Sequence, residues 1–87
     1  MELSQQANCI LLDVRTNPEF ADFHFQNALN IDIKDRDFTS EIEELDPEKK
    51  YFVYCNRGIR SVNACILMSK IGFQHLYNLK GGIQAYH

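Results

Sequence analysis

Tyr51-Phe-Val-Tyr-Cys55-Asn-Arg-Gly-Ile-Arg60-Ser61 combines a strand, a loop and a helix start in one continuous segment. Its first four residues are apolar and β-favouring, so they predict a buried strand that ends at Cys55. A loop with Gly58 and two arginines follows, and Ser61 starts an apolar-periodic helix. A cysteine between a strand end and a helix N-terminus lies among unpaired backbone N–H groups and near the positive end of the helix dipole. These groups favour the nucleophilic thiolate, so the stretch predicts an active site at a surface cleft.

The structural alternative is that Cys55 is a small buried hydrophobe, which is the usual role of a free cysteine. A structural cysteine would lie within an element rather than at its carboxyl end, and it would not need a glycine and two arginines directly after it. Ligands of parallel α/β sheets bind beyond the carboxyl ends of the strands. The position of Cys55 therefore favours a functional role.

Composition limits the classes of protein that this chain can represent. With 87 residues, 45% of them hydrophobic and 24% charged, it fits one globular domain, residues 1–87. The net charge of -3 argues against a nucleic-acid or anionic-membrane partner. No apolar run is long enough to span a membrane, and the N-terminus does not resemble a signal peptide. Three cysteines without paired spacing predict neither a disulfide framework nor a zinc site, so we expect a reducing, cytoplasmic setting.

Strands alternate with helices along the chain, which predicts an α/β fold: a small parallel sheet with helices on both faces. The expected strands are residues 10–14, 28–31, 51–55 and 75–79. A first helix is expected to begin with Asn17 as its N-cap and to turn Phe20 and Phe23 toward the core. A second helix is predicted by the capping box of Ser40 and Glu43. The third spans residues 61–71, and a short terminal helix after Gly81-Gly82 ends at His87.

The chain resembles the single-domain rhodanese family, the sulfurtransferase fold, in four segments that occur in the family's order. They are Asp13-Val14-Arg15 followed by Pro18-Glu19-Phe20; His24 with Asn27-Ala28-Leu29-Asn30-Ile31; Cys55-x-x-Gly58-x-Arg60-Ser61; and Gly72-Phe73 with Gly81-Gly82-Ile83. Three departures stand out, none of them in the loop: Gln26-Asn27 replaces the family's Pro-Gly, Lys80 replaces a frequent acidic residue, and Tyr86 replaces Trp. The usual N-terminal strand and helix are expected to be lacking, because only nine residues precede Ile10.

The resemblance implies a reaction in which Cys55 is the catalytic nucleophile. It takes a sulfane sulfur from a donor such as thiosulfate, becomes a persulfide, and passes the sulfur to cyanide, a thiol or a protein cysteine. The expected N–H cradle consists of Asn56, Arg57, Gly58, Ile59, Arg60 and Ser61. Arg57 and Arg60 are expected to bind the anionic donor. No metal or organic cofactor is expected, because the sulfur is carried covalently.

Two alternatives remain open. A cysteine phosphatase or arsenate reductase would place five residues between the cysteine and its arginine, whereas four separate Cys55 from Arg60. A rhodanese-like sulfur-carrier or regulatory binding module would keep the fold without fast turnover.

The remaining candidates have structural interpretations. Asp13 and Arg15 are expected to form a supporting ion pair that braces the loop. Cys65 and Cys9 are expected to pack against neighbouring residues, and His24 to serve as a structural hydrogen-bonding group. The histidines lack the spacing of zinc ligands. The expected partners are a small sulfur anion and a thiol, and the expected oligomeric state is a monomer or weak dimer.

Overall fold

A parallel sheet of four strands lies at the centre of the part of the chain that the computed structural model describes, residues 9–86. The strands are β1 (Cys9–Asp13), β2 (Leu29–Asn30), β3 (Lys50–Tyr54) and β4 (Leu76–Asn78), in the order β2-β1-β3-β4. The helices are α1 (Asn17–Asp22), α2 (Phe38–Glu43), α3 (Ile59–Lys70) and a 3₁₀ helix, Ile83–Ala85. The predicted α/β fold is confirmed. All four carboxyl strand ends lie at one edge of the sheet, because every pairing is parallel.

Side chains cover both faces of the sheet. On one face, Leu12 and Val53 pack in a cluster with Ile42 of α2 and with Ala64 and Met68 of α3. Neighbouring residues of a strand point to opposite faces, so the continuous apolar sequence of β1 serves both.

The opposite face has a smaller core. Leu11 and Tyr54 pack there with Leu79 and Ile83, and the half-buried Phe25 lies against them. Full burial of one such side chain contributes about 1.5–3 kcal/mol. The two cores hold β1 and β3 in place, and these strands bring Asp13 and Cys55 to the same edge.

The first helix differs from its prediction in its N-cap and in its packing. Thr16 is the N-cap, not Asn17, and it forms a capping box with Glu19. No residue of the helix is buried, and the half-buried Phe20 stacks on His24 with ring centroids 3.7 Å apart. Phe23, which directly follows the helix, is 37% exposed. The prediction that both phenylalanines face the core is therefore wrong, because Phe20 stacks on the nearby His24 instead.

The predicted capping box of Ser40 and Glu43 is also wrong. The helix begins at Phe38, after Asp37, so Ser40 lies inside its first turn. Phe38 and Ile42 are both buried, four residues apart on one side of the helix. Burial of this apolar pair explains why the helix begins before Ser40.

The turn before β2 contains Gln26-Asn27 where the family has Pro-Gly. Asn27 adopts a left-handed backbone with φ 68°, a conformation that asparagine accepts more readily than most residues. The Ala28 N–H donates to the Phe25 carbonyl at 3.1 Å and closes the turn.

Two expectations concern residues that the structure does not describe. The expected lack of an N-terminal strand and helix involves residues 1–8, and the end of the last helix at His87 involves the final residue; both lie outside the described residues. Within residues 9–86, no helix is long and apolar enough to cross a lipid bilayer.

Candidate active site

The loop that carries Cys55 is shorter than the sequence predicts. β3 ends at Tyr54 and α3 begins at Ile59, so residues 55–58 make the connection and Ser61 lies in the first turn of α3. Gly58 is the N-cap, with φ 99°, a conformation that side chains resist. This tight turn points the first N–H groups of α3 back toward the end of β3.

The sulfur of Cys55 accepts hydrogen bonds from those groups. Its Sγ lies 3.1 Å from the Gly58 nitrogen and 3.4 Å from the Ser61 nitrogen, and the Ser61 Oγ is 3.5 Å away. Burial by itself raises the pKa of the Cys55 thiol. The Ser61 hydroxyl and the N–H groups of Ser61, Gly58 and Arg57 outweigh burial, so the pKa of the thiol lies below its usual value. These three N–H groups are part of the expected cradle of residues 56–61.

Cys55 is more deeply placed than the sequence suggests. Its side chain is 1% exposed and packs in the larger core, so the expectation of a thiol exposed at a surface cleft is wrong. Cys55 nevertheless lines an open pocket of about 280 Å³, together with Asn56, Arg57, Ile59 and Arg60. Cys55 therefore lines the pocket while the residue is shielded from most of the solvent.

Asp13 and Arg15 form the expected ion pair and brace the loop. The two side chains are buried, and Arg15 Nη2 lies 2.8 Å from Asp13 Oδ2. The same guanidinium donates to Asn56 Oδ1 at 3.0 Å and to the Phe23 carbonyl. A buried arginine thus connects the end of β1 to the residue directly after Cys55.

Glu19 holds the loop from the other side. Its carboxylate accepts two hydrogen bonds from Arg60, at 2.8 and 3.1 Å, and one from Asn56 Nδ2 at 3.0 Å. The Arg60 guanidinium, followed by the hydrogen bonds from Thr16, lowers the pKa of Glu19 to about 2 despite partial burial. Arg60 is therefore engaged in an ion pair, whereas Arg57 is exposed at the crest of the loop.

The double glycine lets the end of the chain approach the loop. A Cβ atom at Gly82 would lie 2.3 Å from the Asn56 carbonyl oxygen, so only glycine fits there. The N–H groups of Ile83 and Gln84 donate to the carbonyls of Cys55 at 2.9 Å and Asn56 at 3.0 Å. The backbone of the loop is thus fixed on both sides.

Sequence reasoning missed three side chains at this site: Glu19, Asn56 and Asn78. From the sequence, Glu19 is expected only as part of the segment Pro18-Glu19-Phe20, and Asn56 only as a backbone N–H donor. Asn78 ends β4 and accepts a hydrogen bond from the Ser61 hydroxyl. Its position at the carboxyl end of a predicted strand was the available signal.

The other candidates keep structural roles. Cys65 and Cys9 are half-buried, and burial raises the pKa of both thiols. The His24 Nδ1 lies 2.7 Å from the Phe20 carbonyl oxygen, as expected of a structural hydrogen-bonding group. Among residues 9–86, no group of three or more metal-ligating side chains is placed to hold a metal ion.

Comparisons with known proteins identify the family of this chain. The family model described as "Rhodanese-like domain" matches residues 1–87. Among curated relatives, a tRNA uridine(34) hydroxylase of Cytophaga hutchinsonii is 38% identical over 97% of this chain, and one of Legionella pneumophila is 38% identical over 94%. The chain spans only 28% and 34% of the length of these two relatives.

Solved structures show the same fold. A rhodanese-related protein of Thermoplasma volcanium has a TM-score of 0.73 and 32% identity, covering 91% of this chain and 76% of that one. A Rhodanese_3-like domain from Anabaena has a TM-score of 0.80 and 28% identity, covering 88% of this chain and 87% of that one.

Proposed function

Because this chain belongs to the rhodanese-like domain family, we propose that Cys55 is the nucleophile of a sulfur-transfer reaction. One observation carries the proposal: the sulfur of a buried, pocket-lining cysteine accepts N–H hydrogen bonds from the N-cap and first turn of a helix. These donors stabilise negative charge on sulfur, which both a thiolate and a persulfide carry.

The proposed cycle has two displacement steps at sulfur. The Cys55 thiolate attacks the sulfane sulfur of thiosulfate; the sulfur–sulfur bond of the donor breaks, and sulfite leaves with the bonding electron pair. A thiolate or cyanide then attacks the outer sulfur of the Cys55 persulfide, and the Cys55 thiolate is released. The sulfur stays covalently bound throughout, so this cycle uses no cofactor.

The two arginines differ in their readiness to bind a donor anion. Arg57 is exposed and lines the pocket, so its guanidinium can receive the sulfonate end of thiosulfate. Arg60 also lines the pocket, but Glu19 already takes two of its N–H donors. We therefore assign the first contact with the donor to Arg57, and to Arg60 a smaller share of binding together with support of the loop.

The proposed reaction requires reducing conditions. All three cysteines are free, as a thiol reaction requires. A cytoplasmic setting is the simplest one that keeps Cys55 reduced.

Paired assays test the reaction class. We expect thiosulfate:cyanide turnover in the wild-type chain, none in Cys55→Ser, and most of it in Cys65→Ala. p-Nitrophenyl phosphate should not be hydrolysed, because four residues between Cys55 and Arg60 make a loop smaller than a phosphatase loop. Phosphatase activity without sulfur transfer would reject the proposal. A persulfide that forms but turns over slowly would indicate the sulfur-carrier alternative.

A second candidate function is favoured by the 38% identity to proteins named tRNA uridine(34) hydroxylase. We propose that the chain could supply the rhodanese-like part of such an enzyme. With a net charge of -3, residues 1–87 are a poor surface for tRNA, so tRNA would bind mainly to parts of the protein beyond them.

The test for this second function is genetic. Deletion of the encoding gene should remove hydroxylated uridine at position 34 from digested tRNA, measured by mass spectrometry. Re-expression of the wild-type gene should restore it, and the Cys55→Ser gene should not. Unchanged tRNA modification after deletion would reject this function and leave the sulfur-transfer proposal standing.

A further inference from the structure

The Ser61 hydroxyl connects the sulfur of Cys55 to the amide of Asn78. Ser61 is fully buried, and its Oγ lies 3.5 Å from Cys55 Sγ. On its other side, the same Oγ donates to Asn78 Oδ1. Asn78 is the last residue of β4 and lies opposite Val53 of β3 in the sheet register. A chain of three side chains thus runs from the edge strand to the sulfur.

When Cys55 is a neutral thiol, the direction of each hydrogen bond between Cys55, Ser61 and Asn78 follows from the number of protons available. A serine hydroxyl has one proton, and in this arrangement Ser61 gives it to Asn78. Only lone pairs of the Ser61 oxygen then face the sulfur, so the bond between them is S–H to Oγ. The arrangement fits the thiol.

An anionic sulfur requires the opposite arrangement. The Ser61 proton must then turn toward the sulfur, and the Asn78 oxygen would face a hydroxyl that no longer donates to it. A half-turn of the amide about the Cβ–Cγ bond of Asn78 solves this, because Nδ2–H then donates to the Ser61 oxygen. An asparagine amide can do both, since it has an acceptor and a donor of nearly equal shape.

We propose that Asn78 is a positioning residue for the sulfur-transfer reaction proposed above: its amide accepts from Ser61 when Cys55 is a thiol and donates to Ser61 when Cys55 is a thiolate or persulfide. The buried Ser61 hydroxyl can therefore form a hydrogen bond with the sulfur in each state of the cycle and keep Asn78 as its second partner. This inference rests on the proposed function of Cys55, and it adds a residue outside the loop.

The charged groups near Cys55 lie on segments other than β4. Arg57 lies on the loop, and Arg60 of α3 interacts electrostatically with Cys55 while Glu19 of α1 pairs with it. The buried pair Asp13–Arg15 lies at the end of β1. Asn78 is uncharged, so a substitution at this position changes the hydrogen-bond chain while these groups stay in place.

The test is the pH profile of Cys55 alkylation by iodoacetamide, located by peptide mass, in Asn78→Asp and in the double variant with Ser61→Ala. An ionised carboxylate only accepts, so it holds the Ser61 proton away from the sulfur. We expect Asn78→Asp to raise the midpoint by about one pH unit, which makes the reaction about tenfold slower at pH values below both midpoints. In the Ser61→Ala background, the same substitution should shift the midpoint by less than half as much.

Equal shifts in the two backgrounds would overturn the inference, because they would show a direct effect of charge on the sulfur. The absence of any shift in Asn78→Asp would also overturn it. Asn78→Ala removes one hydrogen bond from each state, so the rate at pH 7 should stay within about threefold of wild type, and a tenfold loss would contradict the two-way role. Asn78→Ala decides the matter if circular dichroism shows that Asn78→Asp does not fold. Because alkylation needs no sulfur donor, its result is independent of whether the protein transfers sulfur, which a separate assay measures.

Discussion

Cys55 and Cys65 lie ten residues apart, yet their surroundings shift their thiol pKa values in opposite directions. Cys65 is half-buried on α3, and burial raises its pKa. Cys55 is buried more deeply, but N–H groups and the Ser61 hydroxyl lower its pKa. Hydrogen-bond donors thus outweigh burial in setting the thiol pKa of Cys55, whereas burial alone sets the direction of the shift at Cys65.

The cavities beside the two cysteines also differ. The groove between α3 and β4 at Cys65 is the larger, about 540 Å³ against about 280 Å³ at Cys55. Its walls include the apolar side chains Val62, Ile66 and Phe73, whereas Arg57 and Arg60 line the pocket of Cys55. Volume alone would therefore point to Cys65, whereas the hydrogen-bond donors and the arginines point to Cys55.

The largest expected effect comes from removing each thiol in turn. Cys55→Ser should abolish thiosulfate:cyanide turnover, because a serine hydroxyl does not form the persulfide. Cys65→Ala and Cys9→Ala should keep most of it, since neither thiol lines the pocket of Cys55. Steady-state kinetics with thermal unfolding of each variant checks this, and loss of activity in a folded Cys65→Ala protein would break the comparison.

The next effect concerns the backbone that aims the N–H groups. In Gly82→Ala, the new Cβ would meet the Asn56 carbonyl, so the loop must move, and we expect a loss of about 2–4 kcal/mol in the free energy of unfolding. Gly72→Ala is the matched control: Gly72 also has a positive φ, but nothing lies near its added Cβ, so the loss should be about 1 kcal/mol. Urea unfolding measures both, and equal losses would show that the close approach at Gly82 matters little.

How much of this could be predicted from the sequence depends on the range of the interactions involved. The strand of Tyr51–Tyr54, the loop and the following helix depend on local signals, and they were placed within two residues of their observed bounds. The parallel sheet followed from the alternation of strands and helices. The burial of Cys55 was missed because Cys55 joins a core that residues of α2 and α3 complete, and this packing depends on the fold rather than on the local sequence.

The partners of the loop were harder to predict for the same reason. The ion pair of Asp13 and Arg15 spans two residues and was expected, but Glu19 meets Asn56 and Arg60 across 37 and 41 residues. Arg60 was expected to bind the donor because its charge is visible in the sequence, whereas its partner becomes visible only in the fold.

The alkylation rates of Cys55 and Cys65 at different pH values test the opposite pKa shifts of the two thiols. A lowered pKa keeps Cys55 as thiolate at lower pH, whereas a raised pKa keeps Cys65 protonated up to higher pH. Each pH unit between the two midpoints is a tenfold difference in thiolate below both of them. We expect iodoacetamide to modify Cys55 at least about tenfold faster than Cys65 at pH 7, with a midpoint for Cys55 below the usual ~8.5. A midpoint above that value would show that the N–H groups do not stabilise the anion.

The smallest expected effect separates the two arginines. Arg57→Ala should raise KM for thiosulfate by about tenfold with little change in kcat, because it removes a contact with the donor. Arg60→Ala should lower kcat as well, and Glu19→Gln should share that signature, because both substitutions weaken the hydrogen bonds that hold the start of α3 against α1. Identical kinetics for Arg57→Ala and Arg60→Ala would reject the division of roles.

The most direct test of sulfur transfer at Cys55 is the intact mass of the protein after incubation with thiosulfate. We expect a gain of one sulfur atom, about 32 Da, located to the peptide that contains Cys55 and removed by a reductant. The same gain should appear in Cys65→Ala and be absent from Cys55→Ser. A wild-type protein that gains no sulfur from thiosulfate or from a persulfide donor, or a Cys55→Ser protein that gains it equally, would contradict the assignment.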